Sequence, residues 1–209
     1  VYKIKYIIII YIMSVKIMNS IQSRQKPNDK IYTPPKIVDI MLDFCDYKEG
    51  DLVLEPARGL SAIYDKLKEP KEYCEIEENL DFFDYNKKVK WIITNPPYSI
   101  LDKFLKHTYK LCEKFCFLIG QYSLTPKRIE VMNNNGFYIT KMLLTQIPSW
   151  FQRSYIIICE KQDKEPSNII FKSVNLGNKC LFCSQPCGGM RGKNIKHCKR
   201  KANENKCRY

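Results

Sequence analysis

Residues 91–99 read WIITNPPYS, and no other stretch limits the fold of this 209-residue chain as tightly. The first four are apolar or β-branched and suit a strand buried on both faces. The next three end that strand. Asn95 is followed by Pro96 and Pro97, which lack the N–H a ladder needs and fix the backbone direction. An amide and, at Tyr98, a phenol are left standing at the strand tip. Open α/β sheets bind ligands at the carboxyl ends of their strands, so a stiffened polar tip is placed for binding.

The flanking sequence supplies the rest of such a sheet. Segment 31–45, IYTPPKIVDIMLDFC, puts Ile37, Ile40, Met41 and Phe44 on one helical face, with Thr33 as the expected N-cap and proline in the first turn. GDLVLEPARGLSAIYDKL then predicts a short strand at 52–54, a loop through Pro56 and Gly59, and a helix starting near Ser61. KEYCEIEENLDFFDY predicts a strand ending at Glu75 and a short element at 80–83. Beyond the NPPY tip, Leu101, Phe104, Leu105, Thr108 and Leu111 recur at helical spacing, a buried strand follows at 115–120, and 126–133 suits a helix. GFYITKMLLT and RSYIIICEK give two last strands separated by QIPSWFQ. Strands alternating with helices imply an α/β fold: a mostly parallel sheet with helices on both faces and a terminal antiparallel strand.

Composition divides the chain further. The net charge of +13 points to a polyanionic partner. Nine of those charges fall after position 165, where ten Lys/Arg meet one acidic residue, Glu204. Five of the ten cysteines, Cys45, Cys74, Cys112, Cys116 and Cys159, are scattered as small buried hydrophobes would be. The other five crowd into 180–207. There Cys180, Cys183, Cys198 and Cys207, with Cys187 or His197 as substitutes, form the expected tetrahedral zinc set. Such a staple would hold Lys193, Lys196, Lys199, Arg200 and Lys201 in one orientation against nucleic-acid phosphates. With no secretion signal in view, the expected setting is a reducing one, cytoplasmic or nucleoid-associated. The abundance of Ile, Lys and Asn suggests an AT-rich genome, viral or that of a mobile element. At the start, the eight-residue apolar run at 6–13 is too short to span a membrane. We expect residues 1–18 to be an apolar extension, 19–165 the main domain and 166–209 the basic, Cys-rich tail.

An exocyclic amine on an aromatic ring is a poor nucleophile because its lone pair is delocalised. A side-chain amide oxygen and a fixed backbone carbonyl can each accept one of its N–H bonds and turn the lone pair outward, while a flat ring stacks on the base. Asn95, Pro96, Pro97 and Tyr98 supply these groups. Here the chain resembles the S-adenosylmethionine-dependent amino-methyltransferases, above all the DNA adenine-N6 class. TPPKIVDIM from Thr33, LVLEPARG from Leu52, YCEI around Glu75 and DFF from Asp81 resemble that family's cofactor motifs and precede NPPY in the family's order.

The resemblance, which runs over about residues 31–160, implies a class I Rossmann-like methyltransferase. It implies that Thr33 contacts the methionine end of the cofactor, that Glu55, Pro56 and Gly59 shape the loop beside it, that Glu75 accepts bonds from the ribose hydroxyls, and that Asp81 faces the cofactor's adenine. It implies that Tyr98 stacks on an extruded target base, with Trp150 or Phe151 packing from the far side. His107 is expected to be surface or satisfied core, because no general base is required. One departure stands out: Ser61 occupies the place of a second loop glycine. The expected substrate is adenine in DNA. RNA or another amino group, and a silent nucleic-acid-binding subunit, are the alternatives. A partner protein could supply sequence specificity, because only about fifty residues follow the last expected strand.

Overall fold

The computed structural model describes residues 31–147, 150, 153–174 and 176. Within them one sheet of seven strands forms: β1 (Val53–Glu55), β2 (Lys71–Tyr73), β3 (Val89–Thr94), β4 (Cys112–Gly120), β5 (Phe137–Gln146), β6 (Arg153–Lys161) and β7 (Ile170–Val174), in the order β2-β1-β3-β4-β6-β5-β7. β1 pairs in parallel with β2 and β3, and β3 in parallel with β4. The expected antiparallel strand is β6, which inserts between β4 and β5 and opposes both. β7 runs parallel to β5.

Helices α1 (Pro35–Phe44), α2 (Leu101–Leu111) and α3 (Pro126–Asn134) cover the two faces. The period-2 alternation of the strands decides which side chain meets which helix. Ile92, Phe115, Phe117 and Ile157 join Leu101, Phe104 and Leu105 of α2 and Met132 of α3. Trp91, Ile93, Cys116, Leu118, Ile156 and Ile158 join Ile37, Val38, Met41 and Phe44 of α1. Burial on both faces is what makes β3 and β4 read as unbroken apolar runs. Each large core side chain contributes roughly 1.5–3 kcal/mol.

Several local expectations give way to the structure. Thr33 does not cap α1. Pro34 occupies the N-cap without a side-chain bond, and Pro35 opens the first turn, where its missing N–H costs nothing. The helix expected from Ser61 is reduced to a single 3-10 turn, Tyr64–Lys66. Left-handed backbone at Gly59 and Ser61 spoils its start, and Pro70 follows soon after. β2 stops at Tyr73, and Glu75 makes only an isolated antiparallel bridge to Leu80 around the turn Ile76–Glu78. The sheet also continues past residue 165: β7 lies in the stretch assigned to the tail. Its residues pair through the backbone while Ile170 and Phe171 stay exposed, so no burial pattern marks them in the sequence.

A candidate cofactor and amine site

The carboxyl ends of β1, β2 and β3 meet along one rim, because β1 lies between its two parallel neighbours with Glu55 level with Tyr73 and Leu54 level with Ile92. Glu55 closes β1 and is 2% exposed. Its Oε2 is buried without a hydrogen-bond partner. Burial pushes its carboxyl up to about 9, against smaller opposing effects from the Tyr64 backbone and Arg58. A buried acid with one unanswered oxygen calls for a cationic or hydrogen-bonding guest.

The loop after β1 is shaped by two left-handed residues, Gly59 at φ 54° and Ser61 at φ 62°. A turn from Arg58 to Ser61 closes through the Ser61 amide, which donates to the Arg58 carbonyl at 3.0 Å. At Gly59 a Cβ would lie 3.5 Å from the Tyr32 ring, so space allows a side chain there and backbone conformation disfavours it. Ser61 stands in the kind of backbone conformation that favours glycine. For a residue with a Cβ this costs roughly 1–2 kcal/mol.

Glu75 is tied to that loop. Its Oε2 accepts the Gly59 amide at 2.5 Å, and its Oε1 accepts the Glu77 amide at 3.2 Å. Asp81 caps the next 3-10 turn, Phe82–Asp84, by accepting the Phe83 amide at 2.9 Å. Behind it Phe82 packs on Phe104, with ring centroids 4.4 Å apart, and edge-on to His107 at 4.8 Å. His107 Nε2 lies 2.9 Å from the Tyr85 carbonyl, the satisfied role expected of it. Thr33 is buried just before α1.

At the tip of β3, Asn95 is half-buried, Pro96 buried, and Pro97 and Tyr98 half-buried. The Tyr98 hydroxyl lies 3.1 Å from Asn95 Oδ1 and 3.2 Å from the Leu118 carbonyl. It has one proton for two acceptors, so the bond is shared. Tyr98 opens the turn Tyr98–Ile100, which leads straight into α2.

Trp150 packs on the α1 face of the sheet, and its amide donates to the Ile147 carbonyl at 2.9 Å. Tyr98 packs on the opposite face cluster. Phe151 lies outside the described residues, as do Cys180, Cys183, Cys187, His197, Cys198, Cys207 and the basic cluster Lys193, Lys196, Lys199, Arg200 and Lys201. Among the described residues no group of His, Cys, Asp and Glu could hold a metal ion, and no helix is long and apolar enough to cross a membrane.

Sequence reasoning missed the exposed apolar residues that follow the strand ends. Leu60 follows β1, Ile76 and Leu80 follow β2, Ile100 follows β3 and Tyr122 follows β4, and all five are exposed. Single apolar residues in polar loops just past strand ends were the available signal. Arg58 was missed as well, being an arginine inside a motif noted for its glycine.

No protein-family model matches the chain, and no curated protein does. Solved structures do. One is a Pyrococcus horikoshii protein assigned as an RNA methyltransferase, with a TM-score of 0.53, 16% identity, and 66% of this chain and 90% of that one covered. Another is a modification subunit assigned to a type I restriction enzyme from Vibrio vulnificus, with a TM-score of 0.51 and 10% identity. That likeness covers 94% of this chain and 57% of the subunit. The shared feature at these identities is the fold, the class I Rossmann-like methyltransferase fold.

Proposed function

We propose that this chain transfers a methyl group from S-adenosylmethionine to the N6 amine of adenine in DNA. The observation that carries this reading is the tip of β3, where Asn95 is followed by two prolines and its Oδ1 lies 3.1 Å from the Tyr98 hydroxyl; in this reading Asn95 Oδ1 and the Pro96 carbonyl are the paired acceptors. The shared fold supports the transferase class. Buried Glu55 supports the cofactor: an acid with an unanswered oxygen suits an ammonium, Pro56 and Gly59 lie in the loop that follows it, and Thr33 lies just before α1. Glu75 has lone pairs left for ribose hydroxyls after its two amide bonds, and Asp81 is assigned to the cofactor's adenine amine by the resemblance of its motif. Bound S-adenosylmethionine would supply an electrophilic methyl.

The residues of this chain do the rest. An extruded adenine displaces the Tyr98 hydroxyl from Asn95 Oδ1 and gives that oxygen an N–H in its place. The Pro96 carbonyl takes the second N–H, so both acceptors orient the nitrogen before reaction. Tyr98 keeps its ring against the base. The methylated nitrogen then releases a proton to water, which is why no side chain need act as base and His107 stays in its structural role. RNA is the second reading, and the Pyrococcus structure, assigned as an RNA methyltransferase, is what favours it.

Nucleoside mass spectrometry of DNA and RNA from a methylation-deficient host separates these readings. N6-methyladenine should appear in DNA with the wild-type chain and fall at least about a hundredfold with Asn95→Ala. The mark in RNA alone would move the substrate to RNA. No mark in either, from a chain that binds cofactor, would overturn the activity.

A further inference from the structure

Arg58 sits in the cofactor loop and has no part in the chemistry above. Its guanidinium lies over the Tyr73 ring, 4.1 Å from the centroid, and pairs with Glu78. The Tyr73 hydroxyl donates to the other oxygen of Glu78 at 3.1 Å. The Arg58 amide donates to the Cys74 carbonyl at 3.1 Å, and Tyr64 braces Tyr73 edge-on at 5.0 Å. These contacts join the turn after β1 to the turn after β2, on either side of the Gly59 to Glu75 bond. The ion pair is partly exposed, so its attraction is weak. What the planar guanidinium adds is orientation, through the stack and the carboxylate together.

We propose that Arg58 is a positioning residue for the cofactor: it clamps the loop whose Ser61 is strained, and so keeps the Gly59 amide and the Glu75 carboxylate set for a ribose. This rests on the reading of that loop and Glu75 as the cofactor site. The clamp does the work that a glycine at position 61 would otherwise make unnecessary. Strain at Ser61 and tethering by Arg58 are then coupled, and that coupling is measurable.

The test is calorimetric titration of S-adenosylhomocysteine into the full chain and its variants, beside thermal melting. Arg58→Met should weaken binding about tenfold, and adding Ser61→Gly should restore it to within about threefold of wild type. In turnover with adenine-containing DNA, KM for S-adenosylmethionine should rise with kcat within about twofold, whereas a loss of folded protein would lower kcat and leave KM alone. If Arg58→Met does not fold, Glu78→Gln opens the same clamp from its exposed end and should weaken binding about threefold. Equal affinity of wild type and the clamp variants overturns the proposal, as does a loss that Ser61→Gly leaves unchanged. A wild-type chain that melts cooperatively and takes up no S-adenosylhomocysteine overturns the cofactor reading itself, and the role of the clamp with it.

Discussion

The Tyr98 hydroxyl shares one proton between Asn95 Oδ1 and the Leu118 carbonyl, while its ring is the surface proposed to stack on a base. Two substitutions separate these roles. Tyr98→Phe keeps the ring and releases the Asn95 oxygen for the substrate amine, so the single-turnover methylation rate should stay within about threefold of wild type. Tyr98→Ala removes the stacking surface, which is worth roughly 1–3 kcal/mol per base, and should lower the rate about 10–100-fold. If Phe falls as far as Ala, the hydroxyl and not the ring carries the function. At this scale the sequence was informative where covalent structure dictates geometry: two prolines stop a strand wherever they occur. It was silent on Ser61, because serine is common in loops and only the fold around it imposes a positive φ.

Among the elements, β3, β4 and β6 were legible because both faces are covered and the apolar run is continuous. α3 was legible from its start, where Thr125 accepts the Arg128 amide at 3.3 Å and Pro126 takes the first helical position. β7 was not. It pairs with β5 over five residues, yet Ile169, Ile170 and Phe171 are each at least half exposed, so it shows none of the alternation that burial writes into a strand. Its contribution is backbone pairing and cover for the β5 edge, with Val174 and Leu176 reaching the α1-side core. A chain ending after Asp163 should therefore be less stable than one ending after Leu176, by roughly 1–3 kcal/mol in urea unfolding. Equal midpoints would mean that β7 is ornament to the sheet. The helix expected from Ser61 failed for a related reason: Ile63 and Leu67 are buried as a helix would bury them, but from a loop and a 3-10 turn.

For the whole molecule the sharpest consequence is the pH dependence set by Glu55. Its folded carboxyl is raised from 4.5 to about 9 by burial, so between those values the folded chain holds a proton the unfolded chain has released. Its stabilising effect is complete below pH 4.5 and is lost as pH rises through the window to about 9. Urea midpoints of wild type should fall between about pH 6 and pH 8.5 more steeply than those of Glu55→Gln, which does not titrate. Saturating S-adenosylhomocysteine should flatten the wild-type slope, because an ammonium against Oε2 favours the charged form. Parallel slopes for wild type and Glu55→Gln would remove Glu55 as the cause. By itself the sequence determined the identities of the central strands, the rigid polar tip at Asn95 to Tyr98 and the order of the loops around it. Each of these is fixed by proline and asparagine chemistry or by apolar periodicity within a few residues. Only the tertiary structure decided that Glu55 is buried with an unanswered oxygen, that Glu75 holds the amide of Gly59 sixteen residues away, that Arg58 lies on Tyr73, and that β7 closes the sheet. Those facts depend on which strand ends the parallel crossovers bring side by side, and on how much water is left between them, and no local stretch of sequence carries either.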